Sequence, residues 1–494
     1  MARLILVSNR VAVPGVGNRQ AGGLTVAINA TQKLHKSVWF GWSGEVAEGE
    51  VGPPRVTTRG DRTYIVQDLS AADHNEYYNG FANQVLWPVL HYRLDLAAFN
   101  NVDLSGYQRV NRHFAQTIAA FAEPDDLIWV HDYHLLPLAR ELRALGLENA
   151  IGFFLHVPCP PPDIALALPQ HADTLGALGH YDLVGTQTER DAENLGEYFI
   201  NGLGASERGN GAFQVARRRV QVRAFPVSIA TGVYARAARI AARGPAATDL
   251  VESLRGQKLI LGVDRLDYTK GIPDRIRAFG HFLEHNPQWR ERVTFLQLTP
   301  KSRSAVQDYL DLDREVSTLV GSINGTYGCP SWTPIRYVNR GFTRGVLAGL
   351  YRAADVGLVT PLRDGMNLVA KEYIAAQDPE NPGVLVLSQF AGAAERMQSA
   401  LLVNPHEPEA VAAAILTALE MDQPQRHDRW LAMFNELHEH DIDFWAEDFL
   451  SNLAATRPQG GFREGFMRLF STPRILALAA AGFNLAGTFR TPNH

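Results

Sequence analysis

The stretch Arg363-Asp364-Gly365-Met366-Asn367-Leu368-Val369-Ala370-Lys371-Glu372 directly follows the apolar run Val356 to Thr360. A strand, a glycine-containing loop and then a helix would leave free backbone N–H groups at the helix start, where they and the helix dipole can hold a diphosphate. On this geometry Asp364 lies in the loop at a cleft. Glu372 lies about one turn into the helix, where its carboxylate could accept both hydroxyls of a ribose. A second loop, Val263-Asp264-Arg265-Leu266-Asp267-Tyr268-Thr269-Lys270-Gly271, closes the run Leu259 to Val263. Arg265 and Lys270 put two cations beside a glycine, which suits a diphosphate leaving group whose charge grows as a glycosidic bond breaks. Taken singly, the first loop could be an acidic helix start and the second a pair of solvated cations. Their occurrence together in one half of the chain favours chemistry.

The first half carries weaker signals. Ser8-Asn9-Arg10 closes the first apolar run, and Ala21-Gly22-Gly23-Leu24 would let a backbone approach a ligand, with a helix after Gly23 offering N–H groups. Gly15-Val16-Gly17 lacks the third glycine and the immediate helix of a dinucleotide fingerprint. Trp39 to Gly44, Glu76-Tyr77-Tyr78-Asn79 and Leu86-Trp87-Pro88 set aromatics near turn residues. Sugar rings are held on such faces, although core packing is the commoner use of any single ring. His131-Asp132-Tyr133-His134 and Phe154-Leu155-His156 follow two further runs, without other ligands at metal spacing. Asp311-Leu312-Asp313 imitates a metal-binding Asp-x-Asp. It sits within a helical stretch, Ser304 to Leu319, where residues two apart face different ways.

These loops need strands to aim them. Short β-branched runs, each opening into a helical period, recur at Leu4 to Ser8, Leu127 to His131, Ile151 to His156, Leu183 to Thr186, Leu259 to Val263, Thr294 to Thr299, Val356 to Thr360 and Val384 to Ser388. Such runs predict an α/β protein of parallel sheets covered on both faces, in two doubly wound halves. Ligands then bind between the carboxyl ends of the strands. The boundaries expected are 1–228 and 229–440, then a helix at 441–456, with Trp445 and Phe449 one turn apart, packing back across the halves. The tail 457–494 shows no chemistry.

A chain of 494 residues, 46% apolar, can bury such cores, and 47 basic against 52 acidic residues give a net charge of -5. No global basic field invites nucleic acid or an anionic membrane, so an anionic substrate must be gripped locally. Two cysteines, Cys159 and Cys329, make no disulfide framework and fit a cytoplasmic setting. The longest apolar stretches fall short of the roughly 20 residues of a membrane span.

Over residues 2 to 455 the chain resembles the trehalose-6-phosphate synthases of glycosyltransferase family 20. The resemblance rests on Ser8 to Arg10, Trp39 to Glu45, Trp87 with His91 to Asp95, His131 to Pro137, Gly152 to Pro158, Arg265 to Gly271 and Leu358 to Ala376. It implies a GT-B architecture of two Rossmann-like domains, acceptor held mainly by the first and donor by the second. It further implies retaining transfer of glucose from UDP-glucose to glucose 6-phosphate, with no metal or other cofactor, in a homotetramer or homodimer. Matched position by position, it assigns the acceptor to Arg10, Trp42, Tyr78, Trp87, Asp132 and Arg303. The donor falls to Gly22, Gly23, Arg265, Lys270, Phe342, Asp364 and Leu368, Val369, Ala370, Lys371 and Glu372. His156 and Asp364 meet the transferred glucose, and with Arg265 and Lys270 form the catalytic set. The donor base stays open between uracil, adenine and guanine, and glycerol 3-phosphate or a phosphorylated cyclitol is the rival acceptor.

Overall fold

The computed structural model describes residues 3–15, 27–28, 31–32, 36–301 and 307–457. Gly22, Gly23, Arg303 and the tail from 458 lie outside the described residues.

The first half builds one ten-stranded sheet from β1 (Leu4–Arg10), β2 (Ser37–Ala47), β3 (Arg55–Arg59), β4 (Arg62–Ser70), β5 (Leu127–His131), β6 (Ala150–Phe154), β7 (Leu183–Thr186), β8 (Ser206–Glu207), β9 (Ala212–Val215) and β10 (Arg218–Ala224). Its order is β3-β4-β2-β1-β5-β6-β7-β10-β9-β8. From β4 to β10 the neighbours run parallel, while β3 at one edge and β9 and β8 at the other are antiparallel. The second half builds a wholly parallel sheet from β11 (Lys258–Val263), β12 (Val293–Leu298), β13 (Ile335–Val338), β14 (Val356–Val359), β15 (Val384–Ser388) and β16 (Leu401–Val403), ordered β13-β12-β11-β14-β15-β16. The central strands are apolar on both faces because helices cover both; β5, β6, β14 and β15 are buried end to end.

All eight expected runs fall on strands of these sheets. The strands missing from the expectation are informative. In β2, Gly41 and Gly44 punctuate the sequence like turns, yet the segment pairs with both β1 and β4. Glu76 to Asn79, read beside turns, belongs to a continuous helical stretch, Ala71 to Leu90, whose centre His74–Leu86 is π-helical. A helix at Pro245–Leu254 precedes β11.

The helix Ile442–Ala455 starts on the Asp441 carboxylate, which caps the N–H groups of Asp443 and Phe444. It lies on the first sheet. Phe449 stacks on Trp129 at 4.3 Å and 7°, Trp445 meets Phe154 edge-on at 5.1 Å, and the Trp445 indole donates to the Phe225 carbonyl at 3.1 Å. Among the described residues no helix is long and apolar enough to cross a membrane.

Candidate active site

The loops after β11 and β14 press against each other. Tyr268 to Lys270 form one 3-10 turn, started by Asp267, whose buried carboxylate accepts from the Thr269 N–H (3.1 Å), the Thr269 hydroxyl (2.9 Å) and the Tyr309 hydroxyl (3.2 Å). Gly271 then takes φ 59°, and a Cβ there would lie 2.6 Å from the Thr360 carbonyl, so the close approach of the loops depends on glycine. Leu362 N–H donates to the Thr269 carbonyl at 2.8 Å. At the junction the Lys270 ammonium sits 2.5 Å from Asp364 Oδ2, which also accepts from the Asn367 amide at 3.0 Å. Asn367 starts the Leu368–Ala376 helix from a left-handed backbone, φ 74°, and its side-chain oxygen accepts the Ala370 N–H at 3.1 Å.

Beneath both loops lies the guanidinium of Arg275, 1% exposed. It donates to Asp264 at 2.6 Å, to the Thr360 hydroxyl at 2.9 Å, to Gln297 at 3.2 Å and to the Lys270 carbonyl at 3.3 Å. One cation thus ties together the ends of β11, β12 and β14. Burial is the main cause that pushes the Asp264 carboxyl up, and the attraction of Arg275 opposes it.

The first sheet supplies the facing wall. Gly365 packs so closely that a Cβ would come 2.5 Å from the His156 carbonyl. Burial drives the His156 imidazole down to about 3, so it is neutral near pH 7. Its Nε2 lies 3.2 Å from His131 Nδ1. His131 Nε2 is buried with no partner among the described residues. The arrangement that orphans no buried N–H therefore has His131 donating from Nδ1, and it leaves the His156 proton on Nδ1. The Asp132 carboxylate accepts the His156 backbone N–H at 3.3 Å, and Asp132 holds φ 76°, a strained value for a residue with a side chain.

Rings fill the remainder of that wall. Tyr78 stacks between His74 (5.6 Å, 26°) and His134 (5.9 Å, 13°), and Trp42 lies 5.5 Å from Tyr78. The Arg10 guanidinium sits 5.6 Å over Trp42. The π-helical stretch carries His74 and Tyr78, β2 carries Trp42 and the turn after β5 carries His134; the Tyr77 hydroxyl ties the π-helical stretch to Asn9 at 2.8 Å beside Arg10. Arg10, Trp42 and Tyr78 are thereby brought together. Across the cleft, Arg265 is exposed and lies 5.9 Å over the Trp87 ring.

The other assigned residues are placed unequally. Glu372 is buried and receives Arg344 at 2.8 Å; burial raises its carboxyl while that guanidinium opposes the rise. Phe342 is half-buried, with Arg340 at 5.1 Å over its ring. Leu368 and Val369 stand at the helix start, where N–H groups lack intrahelical partners. The Ala370 N–H is held by the Asn367 side chain, and the Lys371 ammonium is directed to the Val227 carbonyl at 2.7 Å, at the crossover between the sheets. Burial lowers that ammonium to about 7.

Arg275, Arg344 and Asn367 were not singled out in the sequence. Arg275 did leave a signal, since it shares the apolar stripe of Ile272, Ile276 and Phe279, where a guanidinium requires a carboxylate. Asp311 pairs with Arg314 and Asp313 with Lys301, as two separate surface contacts. Among the described residues only His281, Glu284 and His285 gather three potential metal ligands. They sit at the far end of the Ile272–His285 helix, roughly 15–20 Å from the loop before it at 1.5 Å per residue.

Residues 13–455 match the model of glycosyltransferase family 20. A trehalose-6-phosphate synthase of Sinorhizobium fredii is 49% identical over 465 residues, 93% of this chain and 100% of the relative. Among solved structures, an alpha,alpha-trehalose-phosphate synthase (UDP-forming) from Burkholderia xenovorans in complex with glucose-6-phosphate is 43% identical, with a TM-score of 0.89 over 92% of this chain and 100% of that one. An E. coli structure bound with UDP-2-fluoro glucose is 44% identical, with a TM-score of 0.88 over 93% of this chain and 100% of that one.

Proposed function

We propose, from the premise that this chain belongs to glycosyltransferase family 20, that it transfers glucose with retention from UDP-glucose to glucose 6-phosphate, giving α,α-trehalose 6-phosphate and UDP. The observation that carries this reading is the meeting of two anion-handling walls, seen where Arg265 from the second sheet lies over Trp87 from the first.

The donor diphosphate fits the N–H groups of Leu368 and Val369 together with Arg265 and Lys270. Phosphate oxygens arriving beside Lys270 compete with Asp364 for its ammonium, which frees the carboxylate to accept hydroxyls of the glucose. Neutral His156 donates to the same sugar. Glucose 6-phosphate lies against Trp87 with Asp132 accepting its hydroxyls, and Arg10 beside the Trp42 and Tyr78 rings takes its phosphate; Arg303 is assigned to the same phosphate. No carboxylate of the site is placed as a nucleophile in this reading. The acceptor attacks from the face the diphosphate leaves, and the departing phosphate oxygen takes its proton. Arg265 and Lys270 stabilise the charge that develops. The cations that other enzymes recruit from a metal are here side chains, so we assign a metal-independent reaction. We likewise assign the acceptor mainly to 1–228 and the donor mainly to 229–440, within a cytoplasmic homo-oligomer.

The test is nucleotide release by the purified chain, in the presence of a chelator, from UDP-, ADP- and GDP-glucose against glucose 6-phosphate and glycerol 3-phosphate. UDP release with glucose 6-phosphate and an α,α-linked disaccharide phosphate by NMR is expected. Release with glycerol 3-phosphate alone would overturn the acceptor, and loss of activity on chelation the metal-independence.

A further inference from the structure

The helical stretch ending at Leu90 closes with the Tyr92 N–H donating to the Val89 carbonyl (3.0 Å) and the Arg93 N–H to the Pro88 carbonyl (2.8 Å). This is the Schellman pattern, whose left-handed position is ordinarily glycine. Here it is Tyr92, at φ 65°. A large side chain in that conformation costs stability, so something must require the ring where it stands. The ring carries the Arg363 guanidinium at 3.8 Å. Its hydroxyl donates to the Cys159 carbonyl at 3.0 Å and accepts from Asn194 at 3.2 Å, which fixes the ring plane.

Arg363 belongs to the other half of the molecule and directly precedes Asp364, the partner of Lys270. Its own N–H donates to the Thr269 carbonyl at 3.3 Å. The same short segment makes two more contacts across the cleft: Arg93 lies 5.6 Å over Tyr268, and Trp87 lies under Arg265 at 5.9 Å. Three residues within one short segment, Trp87, Tyr92 and Arg93, therefore meet residues 265, 268 and 363 on the two donor loops. Arg363 and Tyr92 are both half-buried, where a cation over a ring is worth more than at an exposed site.

We propose that Tyr92 and Arg363 are a positioning pair: a cross-cleft clasp that sets Asp364 and Lys270 against the acceptor wall for transfer. The clasp rests on the glucosyl transfer proposed above, and it acts through those two residues without touching substrate. The test is a kinetic cycle on the full chain with Tyr92→Phe, Tyr92→Leu, Arg363→Met, Arg363→Lys and the Tyr92→Leu/Arg363→Met double variant. Loss of the cation–ring contact is expected to lower kcat about tenfold to thirtyfold in Tyr92→Leu and in Arg363→Met. KM for either substrate should move less than about threefold, and the double variant should be no worse than either single one. Tyr92→Phe keeps the ring and stays near wild type, and Arg363→Lys recovers part of the loss. A role confined to the helix end would give additive losses and no rescue. Turnover of Tyr92→Leu within twofold of wild type, or full additivity, overturns the clasp. Small-angle scattering at saturating UDP supplies an arm independent of turnover, with a larger radius of gyration expected for Arg363→Met than for wild type. If the wild type released no UDP, the functional reading would fall while scattering still decided the clasp; equal radii would remove it.

Discussion

The wall of the cleft borne by the ten-stranded sheet is made of rings, with Tyr78 between His74 and His134, Trp42 beside it and Arg10 at the edge. The wall borne by the six-stranded sheet is made of paired charge: Arg275 buried under Asp264, Lys270 on Asp364, and the more exposed Arg344 on buried Glu372. On the function proposed above, the difference follows from what each wall would have to do. Holding a sugar phosphate in place needs shape and one or two cations, which packed rings supply at little desolvation cost. Stabilising a charge that appears only as a bond breaks needs dipoles and cations already oriented, and here Lys270 is oriented by its carboxylate partner and the loops by the buried Arg275 pair beneath them.

If the donor wall is such a prepaid network, its foundation should matter most to the fold. Arg275→Met strands the Asp264 carboxylate and is expected to lower unfolding free energy by about 3–5 kcal/mol in urea denaturation. Adding Asp264→Asn should restore part of it. A loss below about 1 kcal/mol would mean that Arg275 is ornamental, and the contrast between the walls would go with it.

One step nearer the substrate, Arg265→Ala and Lys270→Ala should each lower kcat roughly 100-fold or more while the chain stays folded by circular dichroism. Near-normal turnover in either variant would move the leaving-group role elsewhere. On the ring wall the effect should be smaller and of another kind. Arg10→Ala is expected to raise KM for glucose 6-phosphate about tenfold, the scale of one charge-assisted hydrogen bond, and to leave kcat within about threefold. A fall in kcat with KM unchanged would show that both walls act on the transition state and erase the distinction.

The two walls were also unequally legible in the sequence. The donor loops could be read because a parallel strand, its loop and its helix are contiguous in the chain, so Arg265, Lys270, Asp364 and Glu372 could be picked out as candidates by position. Arg275 escaped notice although its place on an apolar stripe marked it, because its partners come from three different strands. On the ring wall, glycines in β2 disguised a strand as turns, and the π-helical pitch of His74–Leu86 puts Tyr77 and Tyr78 where a 3.6-residue period does not predict them. Lys371 shows the limit from the other side. Its place in the motif suggested the donor, and only packing revealed that its ammonium serves the crossover at Val227.

The amino-acid sequence by itself determined the α/β class, the eight core strands, the two cation-bearing loops and, through its long matching blocks, the family. Those properties depend on local periodicity and on residue types at fixed spacing, which a linear chain carries in full. The tertiary structure decided which side chains share a site: Tyr78 between two histidines, His156 neutral against His131, Tyr92 in a glycine's conformation beneath Arg363. Each of these joins residues far apart in the chain, and burial, which sets both proton affinity and the strength of a charge's contacts, exists only once the chain has folded.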